Sequence, residues 1–81
     1  MQGKEENAID NQYIFRYKDG PLSEVITYRK YLIGEIMKDA AARGNHAIPD
    51  FSTESVTLSK LKKFIDCAAA AGYTVYKVRK L

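Results

Sequence analysis

Cys67 and His46 are the only cysteine and the only histidine in this chain. A catalytic thiol needs an adjacent base, and the sequence offers Cys67 nothing beyond the distant His46. Cys67 adjoins four alanines, Ala68 to Ala71, so the expected role is a small packed thiol. One cysteine and one histidine cannot supply a four-ligand metal set or an internal disulfide. Carboxylate pairs occur as Glu5-Glu6 and as Glu35 with Asp39. Like charges four apart on a helix ordinarily mark a solvated face. His46 lies near Asp50 in a loop-like stretch, where a locally hydrogen-bonded histidine is the ordinary outcome. The glycines are isolated, so no loop is built to cradle phosphate. The expectation is no catalytic residue, no metal, no cofactor and no small-molecule substrate.

Two other constellations are suited to binding. The first is basic. The chain carries a net charge of +3, unevenly spread. Residues 57–81 hold Lys60, Lys62, Lys63, Lys77, Arg79 and Lys80 against Asp66 alone. Tyr73 and Tyr76 are interleaved with them, and cations beside stacking aromatics are what single-stranded nucleic acid requires. The stretch Ala71 to Tyr76 lacks the basic residue and one aromatic of the RNA-recognition-motif signature, so that family is not assigned. The opposing reading is a solvated basic face with two tyrosines covering the core.

The second constellation is Tyr28, Arg29 and Tyr31, with Lys30 between them. Tyrosine and arginine are enriched at protein-binding hot spots. Tyr28 and Tyr31 are three apart and would lie beside each other on a helix. The alternative role is to widen the apolar face of that helix.

These residues are positioned by a few elements. From Leu22 to Arg43 apolar residues recur at steps of three and four (Val25, Ile26, Leu32, Ile33, Ile36, Met37, Ala40, Ala41), which predicts one long amphipathic helix. Pro21 suits its first turn and Gly44 its end. Gly34, mid-helix, would allow close crossing by another element. A rival reading makes Val25 to Ile33 a strand pairing with Gln12 to Lys18. That stretch alternates aromatic Tyr13, Phe15 and Tyr17 with Ile14, Arg16 and Lys18, which is strand spacing. The segment 45–56 reads as turn material around Phe51, with a short edge strand at His46 to Ile48. Thr57 is a plausible cap for a second helix to Ala71 with Leu58, Leu61, Phe64, Ile65 and Ala68 inward. Gly72 ends it, and Tyr73 to Lys80 alternates as a last strand with Tyr76 and Val78 as its inner set.

The predicted fold class is α+β. A flexible tail, residues 1–11, precedes a single two-layer domain over 12–81. Its order is β-α-(short β or loop)-α-β, with two or three strands packed on two helices. Hydrophobic residues make up 46%, the composition of a folded chain. A domain of this size buries only about 60% of its unfolded surface, so a partner or a second copy would add stability. No apolar run reaches the roughly 18 residues a membrane span needs. A polar N-terminus points to a soluble, cytoplasmic protein. The expected function is a small non-enzymatic regulatory or inhibitory module acting by protein–protein contact, with a protein or a second copy of itself (a homodimer) as partner. Accessory proteins of phages and mobile elements offer an analogy from size alone. The alternative is a DNA- or RNA-binding module using the basic C-terminal third.

Overall fold

A computed structural model describes residues 12–78. The tail, Glu5, Glu6, Arg79 and Lys80 lie outside them. The chain runs β1 (Gln12–Tyr17), β2 (Ile26–Thr27), α1 (Arg29–Ala42), α2 (Leu58–Ala70) and β3 (Tyr73–Val78). The sheet is antiparallel with order β2-β1-β3. This is the α+β architecture expected, with the two outermost segments of the described chain paired to each other, β1 at the centre of the sheet and β3 at one edge.

Side-chain alternation on β1 explains the layering. Tyr13 and Phe15 are buried, and both pack into one core with Leu32, Ile33, Ile36 and Ala40 of α1 and with Leu61, Phe64 and Ala68 of α2. Phe51, from the segment between the helices, stands edge-on to Phe64 at 5.1 Å. Residues His46 to Ile48, expected as an edge strand, form none.

The first helix is the main correction. It begins at Arg29 and not at Leu22. Pro21 to Val25 form neither helix nor strand and lead into β2. Two local causes oppose a helix there. Ser23 donates its N–H to the Phe15 carbonyl at 2.8 Å, and its hydroxyl accepts from the Phe15 N–H at 3.0 Å. These bonds hold the segment against β1. The run Val25, Ile26, Thr27 is also β-branched and fits a pleated surface. The rival strand reading therefore holds for Ile26 and Thr27, and the helical one from Arg29 onward.

Further differences concern which face is inside. The register pairs Tyr17 with Tyr73, Phe15 with Val75 and Ile14 with Tyr76. Directly opposed residues share a face, so Tyr73 and Val75 look inward, while Tyr76 and Val78 occupy the other face with Ile14 and Arg16. Leu58, placed in the inner stripe by its spacing, is exposed, because it opens the first turn of α2 and lies beyond the core. Gly34 meets no crossing element: a Cβ built there has nothing within 4 Å. Gly34→Ala is therefore expected to stabilise the protein by about 1 kcal/mol, the propensity difference at an open helical site. A lowered urea midpoint would contradict that.

The helix ends are well determined. The Thr57 side chain accepts from the Lys60 N–H and caps α2. Gly44 and Gly72 take positive φ values of 72° and 104°, the conformation that favours glycine after a helix. At Gly72 a Cβ would also come within 2.9 Å of the Tyr17 ring.

A polar staple joins α1 to β3. Tyr73, 2% exposed, donates its hydroxyl to Asp39 Oδ2 at 2.6 Å. Arg43 Nε donates to the same oxygen at 2.7 Å, and its guanidinium lies 4.3 Å from the Tyr17 ring centre. Burial opposes the charge on Asp39, but the bonds from Arg43 and Tyr73 outweigh it and hold the carboxyl below its usual range. Burial and the bond to Asp39 push the Tyr73 hydroxyl up to about 12. An unfolded tyrosine ionises near pH 10. The stabilisation from neutral Tyr73 is thus complete below about pH 10 and is lost as pH rises toward 12. Tyr73→Phe should flatten that alkaline loss in urea unfolding. An identical slope in the variant would show that Tyr73 does not cause it.

Candidate functional site

The segment from Leu22 to Tyr31 is the most unusual surface of the molecule. Phe15 meets Ser23, whereas Tyr13, two residues earlier, meets Ile26, three residues later. One extra residue therefore sits in the outer strand around Glu24 and Val25, which makes a bulge. Bulges bend a strand and re-aim its side chains. Val25 here is 55% exposed.

Tyr28 follows at φ 74°, ψ 138°, a backbone region that an aromatic residue rarely adopts. Such strain costs on the order of 1–3 kcal/mol and concentrates where structure serves function. Tyr28 stands at the start of α1 and supplies no side-chain cap. Its ring instead meets Tyr31 edge-to-face, with centroids 5.8 Å apart. Both rings are exposed.

Beside them lies an open groove of about 520 Å³, lined by Phe15 and by the run from Ser23 to Thr27 on one side and by Tyr31 and Glu35 on the other. Its walls are thus the outer edge of β2 and the first turns of α1. The charged side chains in the lining are Glu24 and Glu35. Glu35 reaches Lys38 only at 3.9 Å, on the exposed surface, a contact worth at most about 1 kcal/mol.

Of the protein-binding set read from the sequence, Tyr28 and Tyr31 come together as exposed neighbours. Arg29 does not join them. It is 6% exposed and lies near Tyr13, whose hydroxyl is pushed up by burial and pulled partly back by the Arg29 charge. A side chain that deep cannot be a contact anchor. Leu22, Val25 and the groove were missed, because helical spacing assigned Val25 to a core face. The run of β-branched residues after Pro21 was the signal for them.

The nucleic-acid set is divided. Lys62 and Lys63 are exposed on α2, while Lys60 is half-buried, with Nζ 3.5 Å from the Ser55 carbonyl. Lys77 is exposed on the helix-side face of β3, opposite Tyr13. Tyr76 points from the other face of the sheet. Tyr73 is in the core, where its ring presents no face to a base. Among the described residues of this set, Lys60, Lys62, Lys63 and Lys77 therefore do not share a face with Tyr76, the accessible tyrosine.

His46 and Asp50 line a second hollow of about 210 Å³ with Met37, Ala40, Ala41, Asn45 and Ile48. No cysteine or serine joins them there. Cys67 is half-buried on α2. Among the described residues no three of His, Cys, Asp and Glu stand together as a metal set, and no helix is long and apolar enough to cross a membrane. No protein-family model matches the chain, and neither a curated protein nor a solved structure matches it.

Proposed function

We propose that this protein is a small non-catalytic binding module, of the regulatory or inhibitory kind, which docks the surface from Leu22 to Tyr31 on a protein partner. One observation carries the reading. Six large hydrophobic residues are exposed among those described, and four of them, Leu22, Val25, Tyr28 and Tyr31, come from ten consecutive residues. Single exposed apolar residues are ordinary, but here Val25 and Tyr31 line the groove and Tyr28 packs on Tyr31, and a patch of that kind suits an interaction site. Tyrosines suit such a site, since a large ring is buried at little conformational cost.

The strained backbone supports the same reading. Glycine adopts the Tyr28 conformation without penalty, so stability alone would favour glycine there. Tyr28→Gly is expected to leave the urea midpoint within about 1 kcal/mol of wild type, while it weakens partner binding. A variant that binds normally would remove Tyr28 from the site.

The test of function is capture from an extract, with and without nuclease treatment, by three proteins: wild type, Tyr28/Tyr31→Ala and Lys60/Lys63/Lys77/Arg79→Ala. The reading expects one protein to be retained by wild type and the lysine–arginine variant and lost by the tyrosine variant. Retention that needs intact nucleic acid and fails only in the lysine–arginine variant would instead establish the basic C-terminal third as a nucleic-acid surface.

A further inference from the structure

The groove beside β2 has features that define the chemistry of its occupant. Among the described residues β2 is an edge strand, because the sheet order places β1 on one side of it and no strand on the other. Phe15 directs both its N–H and its carbonyl at Ser23. Backbone direction alternates along an antiparallel pair, so Tyr13 turns its backbone toward Ile26, and Val25 and Thr27 turn theirs outward. Among the described residues the N–H groups of Glu24 and Val25 find no acceptor. Unpaired donors beside a groove are a template for an added strand.

The two sheet edges differ in protection. β3 carries Lys77, a charge of the type that discourages pairing along an edge. Leu22 to Thr27 contains neither lysine nor proline, and its own protection is the bulge, Glu24 and a strand of only two residues. In the groove itself Val25, Ile26, Phe15 and Tyr31 are apolar or aromatic, and the charged side chains are the two carboxylates Glu24 and Glu35. The net charge of the molecule is positive, so this acidic lining runs against the general field and selects for a cation locally.

We infer that the partner contributes an extended segment, laid along the outer edge of β2, with an apolar side chain in the groove and an adjacent lysine or arginine between Glu24 and Glu35. This inference rests on the proposed docking surface and specifies its ligand. Backbone bonds to Val25 and Thr27 would set the register. The Tyr31 ring would close one side of the apolar pocket. A cation would replace the loose Glu35–Lys38 contact by a shorter, less exposed one.

A display library of random ten-residue peptides, selected on the whole protein, supplies the probe. Selected peptides should combine alternating apolar residues with lysine or arginine. Binding of a synthetic copy should fall at least tenfold when alternate backbone nitrogens are N-methylated. It should also fall at least tenfold against Glu24→Gln/Glu35→Gln, with the urea midpoint unchanged. Peptides that need Tyr28 and Tyr31 but are acidic, or bind equally well when N-methylated, would overturn strand addition and leave the docking surface standing. Peptides indifferent to Tyr28/Tyr31→Ala would overturn both. A selection that enriches nothing overturns the extended-segment proposal, since an open edge beside a groove should retain some member of such a library; the docking surface would then stand or fall on the extract capture.

Discussion

Phe64→Ala is expected to lower the stability by about 3–5 kcal/mol, the range for truncating a buried aromatic ring. Phe64 is fully buried among the largest side chains of the core. It joins α2 to α1 and the sheet, and it also receives the edge of Phe51 from the segment between the helices. Its removal would open a cavity in the core that α1, α2 and the sheet share. For a domain whose total stability lies in the range of about 5–15 kcal/mol, that is a large share. Urea unfolding monitored by circular dichroism measures it. A midpoint within experimental scatter of wild type would mean that the core is centred elsewhere.

Tyr31→Ala should act on binding and not on folding. The ring is 54% exposed and stands on the solvent side of α1, so its loss should change stability by about 0.5 kcal/mol or less. Its contact with Tyr28 and its place in the groove wall make it the central anchor of the docking surface. Anchors of this type lose about 2–4 kcal/mol of affinity on truncation, roughly thirty- to a thousandfold. Charges at a rim act chiefly on association rate, so Lys60→Ala and Lys63→Ala should shift affinity far less. Calorimetric titration of the captured partner separates these cases. An equal or larger loss in the lysine variants would move the interface to α2.

Much of the framework is readable from residue types. Thr57 and Gly72 bracket α2 because a hydroxyl cap and a left-handed glycine have local causes. Gln12 to Tyr17 alternates cleanly, and the spacing of Leu32, Ile33 and Ile36 identifies the buried face of α1. Other features depend on partners far along the chain. In Tyr73 to Val78 both faces are apolar, one with Tyr73 and Val75, the other with Tyr76 and Val78. Only the pairing with β1 decides which looks inward. The start of α1 was hidden for a different reason. Tyr28 is a poor cap, Arg29 and Lys30 sit at the positive end of the helix dipole, and Val25 and Ile26 happen to continue the helical period. What keeps them out of the helix is the bonding of Ser23 to Phe15, eight residues away. The docking surface inherits that ambiguity. Tyr28 and Tyr31 could be named from their spacing, but Leu22, Val25 and the groove exist only because the segment is a bulged edge strand.

The most direct test is amide hydrogen exchange of the protein alone and in complex with the captured partner. The amides of Glu24 and Val25 have no acceptor among the described residues, so they should exchange rapidly in the free protein and slow markedly in the complex, together with those from Ile26 to Tyr31. Protection confined to α2 and β3, with Glu24 to Tyr31 exchanging as in the free protein, would contradict the assignment of the binding surface.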